Sequence, residues 1–468
     1  MNFQLIEQIA SIHQMRLSDA IQTMKNKILL LCLSISSVAI SQFGPVNIID
    51  NTTASLGIKR IITADLNNDN INEVIISQAF NVNQIAYYSS DGNGNFSNKI
   101  VIDSTLSYPV FVAAGDFNGD HHTDLATIAQ THGELFIYLN DAVGGFIKQE
   151  ADSGIGFGHA VVIEDFDHNG SQDMAVIGQH SIDFYRNNGA AVFTKEAILT
   201  TQTSPNILEC MYLETADMNN DGHPDLITAE TIGGVIYYND GTGHFTPQTF
   251  TSEVFTSTLV HAVDINNDSF KDLVIQHSTG DVKLYTNNGD ETFQLEGTLF
   301  NSAAIRSMQS VDADADGFQD LYMAYSNKVR LLYNQGNETF GGEQFLYENN
   351  SQMTNEVALG NLDLNNAPEF IWSAVGGTIA YHKSTILSLP ENNANTLSIY
   401  PNPVNKLVSI TCDQEIVQIN ILNSMGQILS TENGNFKEIW DFSEFPSGTY
   451  LVEAKSINST FRKRIIKL

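Results

Sequence analysis

Asp116-Phe-Asn-Gly-Asp-His-His-Thr-Asp124 is one of six acidic segments that recur along this 468-residue chain at nearly constant spacing. The others are DLNNDNINE from Asp65, DFDHNGSQD from Asp165, DMNNDGHPD from Asp217, DINNDSFKD from Asp264 and DADADGFQD from Asp312. A shortened seventh copy, DLNNAPEF, starts at Asp363, and successive copies lie 47 to 52 residues apart. A period near fifty residues signals an array of structural units, not a single continuous fold.

Around each segment the order of parts is constant. In the second unit VFVAAGDF precedes the acidic loop, LATIAQ and ELFIYLND follow it, and a turn leads into GGF and a less regular strand. Hairpin signals separate these parts, as in Asp91-Gly-Asn-Gly, Asn187-Asn-Gly, Asn239-Asp-Gly and Asn287-Asn-Gly, where Asn and Gly supply positive φ. Four short strands per unit, seven times over, predict an all-β, seven-bladed β-propeller at residues 42–388, with a linear solenoid as the second choice. A propeller closes when one end of the chain completes the last blade. FGPVNIID from Phe43 resembles FSNKIVID from Phe96, and the seventh unit offers only three strands, so residues near 43–50 are expected to pair with 378–382. A Tyr recurs in each third strand, at 88, 138, 185, 238, 285, 333 and 381, and reads as packing between blades.

Within each loop, oxygen-bearing side chains fall at positions 1, 3, 5 and 9. They are Asp65, Asn67, Asp69 and Glu73; Asp116, Asn118, Asp120 and Asp124; Asp165, Asp167, Asn169 and Asp173; Asp217, Asn219, Asp221 and Asp225; Asp264, Asn266, Asp268 and Asp272; Asp312, Asp314, Asp316 and Asp320. Alternate oxygens in a tight turn converge on a hard cation, and Ca²⁺ accepts six to eight such ligands, a backbone carbonyl at position 7 among them. About six calcium sites are therefore expected. Gly170, Gly222 and Gly317 at position 6 suit the sharp turn, and His121 and Ser269 suit it less. The seventh loop, with Ala367, Pro368 and an early Glu369, is expected to be empty.

Composition narrows the partners. Asp and Glu number 54 against 22 Lys and Arg, a formal charge of −32 that excludes nucleic acid. Lys25 and Lys27 precede an apolar run from Ile28 to Ile40, which reads as a signal peptide over 24–41, too short to span a bilayer. Translation is then expected to start at Met24, with residues 1–23 a misassigned extension, and no transmembrane segment remains after cleavage. Cys210 and Cys412 fall in different domains, so no disulfide framework is expected.

These loops and strands resemble the FG-GAP and VCBS-type repeats, the calcium-carrying blades also found in integrin alpha subunits. That resemblance implies structural calcium on one rim of the propeller and partner binding elsewhere. After a linker at 389–396, residues 397–468 form a separate unit with the alternation of a small β-sandwich. It resembles the type A sorting domain of the type IX secretion system of Bacteroidota in Tyr400-Pro401-Asn402-Pro403, the Gly426-Gln427 turn, Gly448-Thr449-Tyr450 and the basic end from Arg462 to Lys467. The resemblance implies the type IX machinery as a partner and a secreted or outer-surface location.

No HExxH, GxSxG, phosphate loop or paired-Cys site is present, so no catalytic residue is assigned. The reading is a calcium-binding propeller acting as a binding or adhesion module for a glycan or protein. The alternatives are a polysaccharide-active lyase or hydrolase and an inert surface scaffold.

Overall fold

The computed structural model describes residues 43–467. It is interrupted at 52–56, 179–180, 201–211, 231–232, 252, 254–258, 278, 302–304, 315, 337, 350–351, 364–366 and 385–396, and beyond these at 401–405, 413–415, 424–427, 434–438, 444, 446–447 and 457–459. The leader read at 24–41, the linker, Cys210, Pro401-Asn402-Pro403 and Gly426-Gln427 lie outside the described residues. The described residues are strands and turns without a helix, and so offer none long and apolar enough to cross a membrane.

From Phe43 to Ser384 the strands form seven four-stranded antiparallel sheets. The second strands, such as EVIISQA, DLATIA and EFIWSA, are buried along their whole length. That explains why they read as unbroken apolar runs: each is covered on both faces by neighbouring sheets. Fourth strands, such as FIKQEAD, are largely exposed and alternate weakly. The first strands are Gly57–Ala64, Pro109–Gly115, Ala160–Glu164, Leu213–Ala216, Val260–Val263, Ile305–Val311 and Thr354–Gly360, and each packs against the next. The last packs against the first, so the series is cyclic and the sheets are propeller blades.

Closure has the composition that the repeat anticipated. Phe43–Asp50 pairs beside Ile379–Ser384 and completes the sheet containing Glu369–Ala374 and Thr354–Gly360. One apolar cluster joins Ile58, Val74 and Tyr88 of the first blade to Leu362, Ile371 and Tyr381 of the last. Comparable clusters join each successive pair from the first blade to the sixth. Between the sixth and seventh, Tyr322 packs edge-on against Phe370 and donates to Ile371 O at 2.8 Å.

A repeated staple reinforces these interfaces. The third strands of the second to sixth blades end at Asn140, Asn187, Asn239, Asn287 and Asn334, all buried. Each Nδ2 donates at 2.7–2.8 Å to a carbonyl of the preceding blade, at Leu66, Phe117, Phe166, Met218 and Ile265 respectively. The same group donates again within its own blade at 2.9–3.2 Å. In the first blade Ser90 Oγ takes this role, donating to Leu362 O at 2.7 Å across the closure. The Asn of Asn187-Asn-Gly, Asn239-Asp-Gly and Asn287-Asn-Gly is therefore a staple between blades; positive φ falls two residues later on Gly189, Gly241 and Gly289.

The tyrosines require one correction. Tyr88, Tyr138 and Tyr185 lie two residues before the staple position and donate to Asp50, Asp103 and Asp152 of the preceding blade at 2.6–2.7 Å. Tyr285 reaches Glu253 in the same way at 2.5 Å. Tyr238 and Tyr333 lie one residue before Asn239 and Asn334, on the other face of their strands, because side chains alternate. The buried equivalents are Tyr237 and Leu332.

Beyond the propeller, Leu397–Tyr400, Leu407–Cys412 and Ile439–Asp441 make a three-stranded sheet, and Ile416–Asn423, Ile428–Asn433, Gly448–Ser456 and Thr460–Lys467 a four-stranded one. Val408, Ile410 and Trp440 of the first share one core with Ile419, Ile421, Tyr450 and Val452 of the second, the packing of a sandwich.

Replacing the staple should cost more than replacing its neighbour. Asn239→Ala strands Phe166 O without its donor and should lower stability by about 2–3 kcal/mol, measured by urea unfolding. Asn188→Ala, at an exposed turn, should stay within about 0.5 kcal/mol.

Candidate metal-binding rim

Each acidic loop joins the first strand of a blade to the second, and position 9 is the first residue of that second strand. Glu73, Asp124, Asp173, Asp225, Asp272, Asp320 and Glu369 are there at most 1 % exposed. One oxygen of each accepts the N–H of loop position 2, seven residues before it, at 2.7–3.2 Å. In the seventh blade that residue is Leu362, so this loop starts at Asn361, is full length with Asp363 at position 3, and is not the shortened copy from Asp363 that the spacing suggested. In five blades the other oxygen accepts the N–H of the staple Asn at 2.7–2.9 Å. The position-9 carboxylate thus holds both the loop and the staple, a structural role that spacing alone did not reveal.

Positions 1, 3 and 5 form a ladder of side-chain-to-backbone bonds. Position 1 accepts the N–H of position 6 at 2.7–3.0 Å in all six loops. Position 3 accepts from position 5 at 3.0–3.2 Å. Position 5 accepts from position 7 at 2.8–2.9 Å. Such Asx-turns shape the loop and fix the directions of its carboxylate and amide oxygens. Position 6 has positive φ throughout, including His121 at 66° and Ser269 at 78°, where a side chain incurs a steric penalty that Gly170, Gly222 and Gly317 avoid.

In two loops the carboxylates converge. Oxygens of Asp165, Asp167 and Asp173, and of Asp312, Asp314 and Asp320, lie within 4.8 Å of one another, close enough to hold a metal ion. These are the loops with Asp at position 3; the other four carry an amide there. Burial, reinforced by neighbouring carboxylates, pushes Asp124 and Asp272 up to about 6 and Asp173, Asp225 and Asp320 to about 7. A divalent cation opposes that penalty by favouring the charged form. In the third loop Arg186 Nη1 donates to Asp167 Oδ2, so a side-chain cation already meets that ligand set.

The loops are also tied to one another. Asn68, Asn220 and Asn267 at position 4 donate at 2.8–3.1 Å to the position-6 carbonyl of the next loop, at His121, Ser269 and Gly317. His168 Nε2 meets His223 Nδ1 between the third and fourth loops. Gln172 Oε1 accepts from Asp116 N at 2.6 Å. Asn361, the first residue of the seventh loop, donates through Nδ2 to Asn70 O at 3.2 Å and so joins the last loop to the first. The recurrence of Asn at position 4 was visible in the sequence and carries this link. In the seventh loop Lys383, which replaces the staple Asn, donates to Asp363 at 2.9 Å.

Comparison with known proteins agrees with this geometry. An FG-GAP-like repeat model matches residues 65–127, 165–228, 217–275 and 264–322, which include all six intact loops and omit the seventh. A secretion system C-terminal sorting domain matches 398–468. No curated protein sequence matches the chain. Among solved structures, an Agrocybe aegerita lectin that recognises non-reducing terminal N-acetylglucosamine is 16% identical, with a TM-score of 0.52 over 71% of this chain and 86% of that one. A complex of BBS1N with ARL6DN is 14% identical, with a TM-score of 0.51 over 72% of this chain and 98% of that one. At such identities the likeness is one of fold alone.

Glu369 offers a test of burial without a staple. Its Oε2 accepts Leu362 N at 2.7 Å, its Oε1 has no partner among the described residues, and burial raises it to about 7. With the folded value above the unfolded one, the native state holds the extra proton, so this group costs stability as pH rises from about 4.5 through 7. Glu369→Gln should stabilise the protein by about 1–2 kcal/mol at pH 8 and have little effect at pH 4.5, read from urea midpoints at both values.

Proposed function

We propose, from a propeller built of FG-GAP-like repeats and ended by a secretion-system C-terminal sorting domain, a calcium-stabilised binding module that operates outside the cell. The sorting domain directs export by the type IX system to the cell surface or the medium. The observation that carries the calcium reading is the rim itself. Six loops hold oxygens at positions 1, 3 and 5 on a shared hydrogen-bonded scaffold, each around a buried carboxylate at position 9.

Calcium in these loops acts structurally. It offsets the repulsion among 19 Asp and Glu carboxylates at positions 1, 3, 5 and 9 of the six intact loops and stiffens the rim. Asp65, Asn67, Asp69 and Glu73 hold it in the first loop, and the corresponding residues hold it in the next five. The sixth loop, with four carboxylates, is the strongest site. The third, where Arg186 meets Asp167, is weaker. The seventh takes none, since Lys383 already neutralises Asp363.

The partner is a glycan or an extracellular protein, bound away from the rim that calcium occupies. The lectin of similar fold favours the glycan. A regular array of short loops supports binding better than catalysis, because it supplies no inserted lid.

Two measurements test this reading. Calorimetric titration of the metal-free protein should show uptake of several Ca²⁺ ions, with a melting temperature that rises by ten degrees or more and falls again in chelator; no uptake would refute the metal assignment. Removing residues 397–468 should trap the protein in the periplasm, and undiminished surface display would refute the export role.

A further inference from the structure

Opposite the acidic loops, where the first strands begin, the ring has a mouth of a different character. A cavity of about 290 Å³ opens there, lined by Lys59, Arg60, Arg306 and Glu356 with Tyr108, Gln130 and Asn355 among the polar groups. Arg60 lies five residues before Asp65, roughly 17 Å along an extended strand, so this mouth is remote from the metal rim. In a chain of formal charge −32, three cations face one carboxylate here.

The two arginines are incompletely used. Arg60 Nη1 pairs with Glu356 Oε2 at 3.3 Å, and its guanidinium lies 4.7 Å from the Phe111 ring centroid. Arg306 Nη1 donates to Asn355 Oδ1 at 3.1 Å. The Nε–H of each is buried without a hydrogen-bond partner among the described residues. The terminal groups are the ones open to a ligand: Arg306 Nη2 is exposed and meets the Met353 sulfur at 3.9 Å, a weak acceptor that an incoming oxyanion would replace with a charge-assisted bond.

The mouth is bordered by an aromatic pair held in an unusual backbone conformation. Phe80 is 63 % exposed and meets Tyr108 edge-on, with ring centroids 5.3 Å apart. Lys59 Nζ lies 4.2 Å from the Phe80 ring and 5.1 Å from that of Tyr108. Both aromatic residues have positive φ, 101° and 63°, which bulky side chains rarely adopt. Strain of this kind concentrates where a binding surface is held in place by its surroundings.

We propose that this mouth binds the terminal acidic sugar of a glycan. The carboxylate is met by Arg60 and Arg306 with Lys59 at the edge, and the ring hydroxyls by Tyr108, Gln130 and Asn355. The cavity is the size of a single sugar ring, and its amide and hydroxyl lining suits a polyhydroxylated one. A long polyanion lying across the protein would meet its negative field, whereas a chain end presenting one carboxylate meets only the basic mouth. This rests on the binding-module reading and adds to it a location and a ligand class.

The experiment is calorimetric titration of the calcium-loaded protein with oligosaccharides ending in glucuronic or galacturonic acid, beside neutral oligosaccharides of the same linkage and a poly-glutamate peptide. Binding of an acid-terminated sugar alone is expected, weakening as salt is raised. Arg306→Gln should reduce affinity tenfold or more and Lys59→Gln about threefold, the latter with unchanged melting temperature. Should Arg306→Gln fail to fold, Lys59→Gln decides. Equal binding of neutral sugars, preference for the peptide, or affinity indifferent to these substitutions would overturn the mouth assignment while leaving a binding module in place. Silence toward these probes alongside capture of a different glycan or protein would overturn it too, and silence toward every partner would remove both readings.

Discussion

The propeller depends on a carboxylate buried at the start of each second strand. Its two oxygens serve different parts of the fold: one closes the acidic loop through a backbone N–H, and in five blades the other holds the staple Asn in place. That Asn then spends its side-chain amide on the preceding blade. A charge removed from water is costly unless its hydrogen bonds are met, and here they are met by backbone groups that themselves need partners. The arrangement converts a local loop into a bond between blades, repeated around the ring.

The termini of the series show what happens when a part is exchanged. Ser90 has no amide, yet its hydroxyl still reaches Leu362 O and closes the ring. Lys383 does not staple; it turns to Asp363, and Glu369 is left with one oxygen unmet. Asn361 stands at position 1 of the seventh loop where the other six have Asp, and Lys stands at its staple position, so the one carboxylate that remains at positions 1, 3 and 5, Asp363, is met by a side-chain cation. The sorting sandwich is held by its own apolar core around Ile421, Trp440 and Val452.

Charge is distributed with similar economy. The acidic loops gather on one rim, where an Asn or His at position 4 ties neighbours together and where burial raises the position-9 carboxylates. At the other end of the first strands Lys59, Arg60 and Arg306 surround Glu356, whose own value is raised to about 7 because burial outweighs its guanidinium neighbours. The two ends of one strand thus face opposite electrostatic environments. That separation follows from the alternation of strand and hairpin, which sends every acidic loop to the same side.

The sequence by itself determined the four-stranded unit, its sevenfold recurrence, the joining of Phe43–Asp50 to the last blade and the separate sandwich, because period, strand alternation and turn chemistry are local properties that survive without coordinates. It also located the six loops, since alternating oxygens are written directly into DxDxD-like strings. Only the tertiary structure decided that Asn187 and Asn239 are staples and not turn formers, that Tyr237 and not Tyr238 faces the neighbouring blade, and that Arg186 meets Asp167. It alone assembled the mouth, whose lining residues are separated by up to 297 positions from Lys59 to Glu356. The physical reason is the same in each case: partners across a blade interface, and groups converging on the ring axis, are set by packing between units, which no spacing within one unit encodes.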